Sequence, residues 1–203
     1  MTEGQTDRIP RPLLAVGGGV LALIGLVACN AYSYLLFHSI AEIFSIVVAC
    51  GIFMVSWNSR GFIQDSFFLL LGTGCLFVAG IDLLHMLAYV GMGVFPGGRP
   101  DLAVQLWIAA RGLQTASLLL ALFFVRRQAD AGWMLLGYIL VTSALLASIF
   151  VWPIFPTCFV EGQGLTPFKK ISEYVICVLL VVAGALLYRE RNRFDRRVFL
   201  LLI

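Results

Sequence analysis

The feature that most constrains this chain is a succession of long apolar stretches. A membrane-crossing helix needs roughly 20 mainly apolar residues. Six such stretches can be read in the sequence, at approximately 12–31, 37–57, 66–89, 102–125, 132–152 and 170–188. A seventh begins near Phe194 and reaches Ile203 after about half a crossing. The chain is therefore expected to stop within a helix, as a fragment of a longer protein. Composition agrees: 61% of residues are hydrophobic and only 12% charged, whereas soluble domains carry about 25% charged residues. Too few polar residues remain to cover a water-facing surface, so lipid must solvate the chain. The expected fold is an all-α, polytopic transmembrane helical bundle with six full spans plus a truncated seventh.

The connections fit this division. The stretch 91–100 (GMGVFPGGRP) is rich in turn residues, and 155–167 holds two prolines and two glycines, at Pro156, Pro167, Gly162 and Gly164. The first two spans are joined tightly around Asn30 to Tyr34. Met1 to Asp7 is polar, and no small-residue cleavage site follows the first apolar run, so no removable signal is read. Arg8, Arg11, Arg60, Arg126, Arg127, Arg189, Arg191, Arg193, Arg196 and Arg197 fall on one side if the helices alternate. The other side has only Arg99, Lys169 and Lys170. The positive-inside rule then makes residues 1–11 a cytoplasmic segment, followed by a membrane domain over 12–203. Basic residues so explained give no reason to expect nucleic-acid binding.

The five cysteines show no CxxC pair and no zinc spacing. Cys29, Cys50, Cys75 and Cys177 lie in apolar runs and read as small buried thiols. Cys158 lies in a loop, where pairing with Cys29 is an option on an oxidising face. The Gly17–Gly19 run and the Gly72, Gly74 pair read as sites of close helix approach. Trp57, Trp107, Trp133 and Trp152 sit near span ends, as interfacial anchors do.

Ionisable side chains within the spans are costly, by about 2.5–3.5 kcal/mol at a helix centre, and face the bundle interior. His38 and Glu42 share a face of the second span, four residues apart. Asp82 and His85 share a face of the third. Arg111 lies in the fourth, with Trp107 one turn before it and Gln114 one turn after. Glu173 lies in the sixth, one turn from Lys169 and Lys170. With alternating spans all of these fall in the outer leaflet, so they read as one polar cluster drawn from four helices.

Two readings of the cluster stay open. His38, Glu42, Asp82, His85 and Glu173 form a donor set of the kind that holds divalent metals in helical bundles, and paired histidines can hold a haem. Arg111 and Lys170 then supply counter-charge or bind an anion, supported by Trp107 and Gln114. Alternatively, the same residues satisfy one another as a structural ion-pair network.

Four of these segments carry a family resemblance. Residues 37–45 (FHSIAEIFS), 80–85 (GIDLLH) with 91–93 (GMG), 105–111 (QLWIAAR) and 170–176 (KISEYVI) resemble the third class of membrane-associated sensor domains, the MASE group. The likeness runs from about Leu13 to the end of the chain. It implies a membrane-embedded sensor domain over 12–203 in a bacterial inner-membrane protein. It also implies a parent chain with a cytoplasmic histidine kinase or cyclic-di-GMP enzyme as output module. No kinase or cyclase motif is present, so no enzymatic activity is expected of these residues.

The function expected is sensory: a small ligand, metal or haem binds the cluster and biases helix packing. Two other classes compete. One is a haem-binding electron-transfer protein with His38 and His85 as axial ligands. The other is a proton-coupled transporter relaying protons through Glu42, Asp82 and Glu173. Expected partners are the lipid bilayer, the ligand, the output module and, as often for signalling proteins, a second copy of the chain. No span has a decisive small-xxx-small seam.

Overall fold

A computed structural model describes residues 11–62, 66–95, 99–125 and 127–193, with side chains from residue 16 to residue 192 within those ranges. Arg8, Arg126, Arg196, Arg197, most of the N-terminal segment and the seventh stretch from Phe194 lie outside the described residues. Among the described residues the chain forms α1 (Arg11–Tyr32), α2 (Tyr34–Ser59), α3 (Phe67–Ala88), α4 (Pro100–Phe123), α5 (Ala131–Phe150) and α6 (Pro167–Arg189). A two-stranded hairpin, β1 (Phe159–Val160) and β2 (Gly164–Leu165), precedes α6, and a 3₁₀ turn (Arg191–Arg193) follows it. The helices α2 to α6 are long and apolar enough to cross a membrane, five in all; the described apolar part of α1 is the shorter stretch Val16–Tyr32.

The chain divides into two compact units, residues 1–41 and 42–203. The first holds α1 and the opening turns of α2. Only Ser33 separates these helices, fewer than the two to five residues that join antiparallel helices. Its amide donates to Cys29 O at 2.8 Å, and its carbonyl accepts from Phe37 N at 3.1 Å. The helical ladder thus resumes at once, and the Ser33 hydroxyl accepts from Leu36 N at 3.4 Å. Gly17, Gly18 and Gly19 have open space where a Cβ would project, so the close approach expected of that run is not made among the described residues.

The second unit is built on α3 and α4. Their facing sides bury Phe67, Leu70, Ile81, Leu106, Ala110 and Leu113. Lipid is as apolar as these side chains, so tight packing and hydrogen bonds, rather than water exclusion, hold the helices together. Small residues make that packing possible. A Cβ on Gly72 would clash with the Ser56 side chain of α2, and one on Gly74 would lie 2.7 Å from Ser117 Oγ of α4 and 2.8 Å from Tyr138 Oη of α5. Tyr138 donates to Leu70 O at 3.3 Å, which ties α5 to α3.

The helix starts are capped locally. Asp130 accepts from Gly132 N and Trp133 N at the start of α5, and Thr166 accepts from Lys169 N at the start of α6. Between α5 and α6 the chain is bound to α4. Asp101 Oδ1 accepts from Cys158 N and Phe159 N, both at 2.7 Å, and Gln105 Nε2 donates to Phe155 O and Pro156 O. The buried thiol is therefore Cys158 in this loop. The four cysteines within helices are half-buried or, for Cys177, exposed, because most of a span's surface faces lipid and accepts a thiol without burial. All five thiols are free, so Cys29 and Cys158 are not paired.

The two ends of the second unit differ chemically. Arg60 lies over the Trp57 ring at 4.6 Å, Arg127 over Phe123 at 4.0 Å, and Arg191 over Tyr188 at 4.4 Å. These pairs mark the C-terminal ends of α2, α4 and α6. The opposite end carries the Gly91–Gly93 turn, with φ of 101° at Gly91 and 68° at Gly93, and the hairpin pinned by Asp101.

Candidate functional site

Charged groups on apolar helices persist where they find one another, because an unpaired charge in hydrocarbon is strongly disfavoured. Asp82 and His85, three residues apart near the end of α3, are both buried. Arg111, midway along α4, donates through Nη2 to Asp82 Oδ2. Its Nη1 donates to Gln114 Oε1 at 2.5 Å. A guanidinium has donors only, so the amide oxygen of Gln114 must face Arg111, and the amide NH2 must face elsewhere.

His85 is oriented by the backbone of α4. Its Nδ1 lies 2.8 Å from Ala103 O. A carbonyl cannot donate, so Nδ1 carries a hydrogen, and Nε2 is the ring atom on the side of Glu42. That nitrogen lies 3.9 Å from Glu42 Oε1 on α2, beyond a direct hydrogen bond. An imidazole nitrogen facing a carboxylate at this distance suits a shared proton, a bridging water or a small cation. Asp82 and Arg111 are within electrostatic reach of Glu42. Three helices thus contribute one polar group of four ionisable residues: Glu42, Asp82, His85 and Arg111.

Beside this group lies a cavity of about 350 Å³ between α2, α3, α4 and α6. Its walls include Val48 and Ala49 of α2, Val78 of α3, Leu118 of α4 and Leu180 of α6, and Asp82, Arg111 and Gln114 also line it.

Glu173, Lys170 and Trp107 are placed differently. Glu173 does not join this group: it accepts from Lys169 Nζ at 2.5 Å. Lys169 in turn lies 5.1 Å from the centre of the Trp107 ring. Lys169 rather than Lys170 is therefore the counter-charge on α6, because the i,i+4 spacing and the Trp107 face both favour it; Lys170 is exposed. Trp107 supports this second pair rather than Arg111. His38 belongs to the first unit, one turn before Glu42 on α2, with its ring stacked on Tyr34 at 6.2 Å. The lining contributed by Ser45, Cys75 and Ser117 is missed by the sequence reading. Their period along three helices carries no mark that distinguishes a cavity wall from a lipid-facing surface.

Outside the membrane-spanning segments, burial and the Asp101 carboxylate push the Cys158 thiol up to about 11. It is a neutral packing group rather than a nucleophile.

Residues 29–203 match the sequence model of MASE3, described as a membrane-associated sensor domain. No curated protein and no solved structure matches the chain.

Proposed function

Since this chain belongs to the MASE3 family of membrane-associated sensor domains, we propose that it is the sensory part of a bacterial inner-membrane signalling protein. Its sensory element is the group Glu42, Asp82, His85 and Arg111 with the adjoining cavity. The observation that carries this reading is a group of four ionisable side chains from α2, α3 and α4, two of which, Asp82 and Arg111, line a cavity within apolar helices. Simple ion pairing needs no cavity, whereas a ligand site needs both.

The arginine pairs support one orientation. Guanidinium groups folded over Trp57, Phe123 and Tyr188 suit an interface rich in anionic headgroups. The connections after α2, α4 and α6 then face the cytoplasm, and the polar group lies in the outer half of the bilayer. A ligand acts by favouring one helix arrangement over another, and it must bind the two with different affinity. Leu180 brings α6 to the cavity wall, so occupancy changes the packing of the helix that runs to the cytoplasmic end. A histidine kinase or cyclic-di-GMP enzyme in the parent chain would read that change.

The test is the output of the full parent protein in membranes. Asp82→Asn and His85→Gln should alter stimulus-dependent output while the protein still inserts at normal levels. Unchanged output in both variants would remove the site assignment.

A second reading is favoured by the His85 geometry. Histidines that ligate metals commonly donate their other ring N–H to a backbone carbonyl, as His85 does to Ala103. Glu42 and His85 would supply two ligands to a divalent cation. Elemental analysis of purified protein, wild type against His85→Gln, separates the two readings: stoichiometric metal lost in the variant supports a metal sensor.

A further inference from the structure

The cavity beside Arg111 has a chemistry of its own, and it narrows what can bind there. Arg111 carries the group's one permanent positive charge, and Asp82 already matches it. Glu42 adds a second carboxylate within electrostatic reach. No uncompensated cation therefore awaits an anionic headgroup.

What the cavity does offer is a donor. Arg111 fixes the Gln114 amide with its oxygen inward to the guanidinium. The NH2 that remains lies on a side chain that lines the cavity and is itself exposed. In a lipid environment an amide N–H without an acceptor costs free energy, so an occupant that brings an oxygen acceptor is favoured. The rest of the wall is chiefly apolar, including Val48, Ala49, Val78, Leu118 and Leu180. A volume of about 350 Å³ falls within the range of small-molecule sites, roughly 300–1,000 Å³.

We propose that this cavity takes a neutral, membrane-soluble amphiphile whose carbonyl oxygen accepts from the Gln114 amide while its apolar body lies against α2 and α6. Quinones and ketone-bearing lipids share this chemistry. The proposal rests on the sensory reading above and names the class of ligand for that site. The ligand enters from the bilayer rather than from water, so the stimulus is a property of the membrane phase. Its apolar body contacts Ala49 of α2 and Leu180 of α6 together, which couples a ligand-bearing helix directly to the helix that leaves toward the cytoplasm.

The experiment uses the protein in phosphatidylcholine nanodiscs with a benzoquinone carrying a ten-carbon tail as probe, read by quenching of tryptophan fluorescence. Trp107 lies one turn before Arg111 on α4. Wild type should show saturable quenching. Ala49→Phe, which adds bulk to the cavity wall from α2, and Gln114→Leu, which removes the donor, should each weaken it about tenfold or more. Decanoate and decylbenzene serve as competitors, one anionic and one without an acceptor, and neither should displace the probe. Identical, non-saturating quenching in wild type and both variants would overturn the proposal, as would displacement by decylbenzene at similar concentrations. A ketone-bearing lipid that displaces the quinone marks the carbonyl as the recognised group; failure to displace it restricts the site to quinones.

The same variants placed in the parent protein separate this proposal from the reading beneath it. If Ala49→Phe alters output but the probe does not saturate, the ligand class is wrong and the site stands. If Ala49→Phe and Asp82→Asn both leave output unchanged, the sensory site itself falls.

Discussion

Arg111 on α4 donates to the Asp82 carboxylate on α3, and these two residues hold the two most deeply packed helices of the chain in one register. Asp82 is nearly buried, with 8% of its side chain exposed, while Arg111 retains 27%. The carboxylate therefore depends on the arginine more than the reverse.

Removing one member of this pair leaves a charge in an apolar surround, which costs about 3 kcal/mol for a buried pair. Arg111→Met should thus lower the melting temperature in detergent markedly. The double variant Asp82→Leu/Arg111→Met should recover most of that loss. A double variant no more stable than Arg111→Met would show that the ion pair does not set the stability of this contact.

The glycine contacts predict a steric effect with a specific cure. Gly74→Ala would bring a methyl group to within 2.8 Å of Ser117 Cβ and Tyr138 Oη, and overpacking of this kind costs about 1–3 kcal/mol. Replacing Ser117 by glycine in the same chain should restore part of the loss. Gly72→Ala should behave in the same way, with Ser56→Gly as its partner. Thermal unfolding of the four single and two double variants decides the matter.

Glu173 and Glu42 should part company in function. Glu173 is held by Lys169 on its own helix in a part-buried i,i+4 pair. Glu173→Gln should leave the stimulus response nearly unchanged. Glu42→Gln, which alters the group opposite His85, should change the response. Equal effects from the two variants would return Glu173 to the sensory group.

Cys158 makes the loop sensitive to alkaline pH. Its thiol is pushed up from 9.0 to about 11 in the folded protein. The folded state therefore keeps a proton that the unfolded chain releases, and the resulting stability is present below pH 9 and lost as pH rises toward 11. Melting curves across that window should fall more steeply for wild type than for Cys158→Ser. Below pH 9 the thiol should also resist water-soluble maleimides, and Asp101→Ala should expose it to labelling.

Orientation can be read with single cysteines. Introduced in a cysteine-free background, Arg60→Cys should label from the cytoplasmic side of intact vesicles and Glu161→Cys from the other. The reverse pattern would invert the bundle and place the polar group in the inner leaflet.

Much of the architecture is legible in the chain because lipid imposes length and apolarity on each span. The apolar run 66–89 delimits α3, observed as Phe67–Ala88, and 132–152 delimits α5, observed as Ala131–Phe150. The depth of Asp82, His85 and Arg111 along their helices likewise follows from counting residues. Rotation about each helix axis does not. It decides that Arg111 meets Asp82 while Glu173 turns to Lys169, and it depends on packing at Gly72 and Gly74, where hydropathy carries little information. The one-residue joint at Ser33 and the hairpin at 159–165 are set by backbone hydrogen bonds that leave no apolar period to read.

The arginines folded over Trp57, Phe123 and Tyr188 also restrict how a signal can cross the membrane. Each of the three helices α2, α4 and α6 carries its own float, a cation and a ring held together at its C-terminal end. Sliding any of them along its axis toward the hydrocarbon would drag a guanidinium with it, at a cost that grows with depth. A piston stroke is thereby disfavoured, whereas turning a helix about its axis or leaning it sideways leaves every float at the surface. Transmission in this chain is expected to be rotary or tilting, and an output module attached to it would respond to twist rather than to thrust.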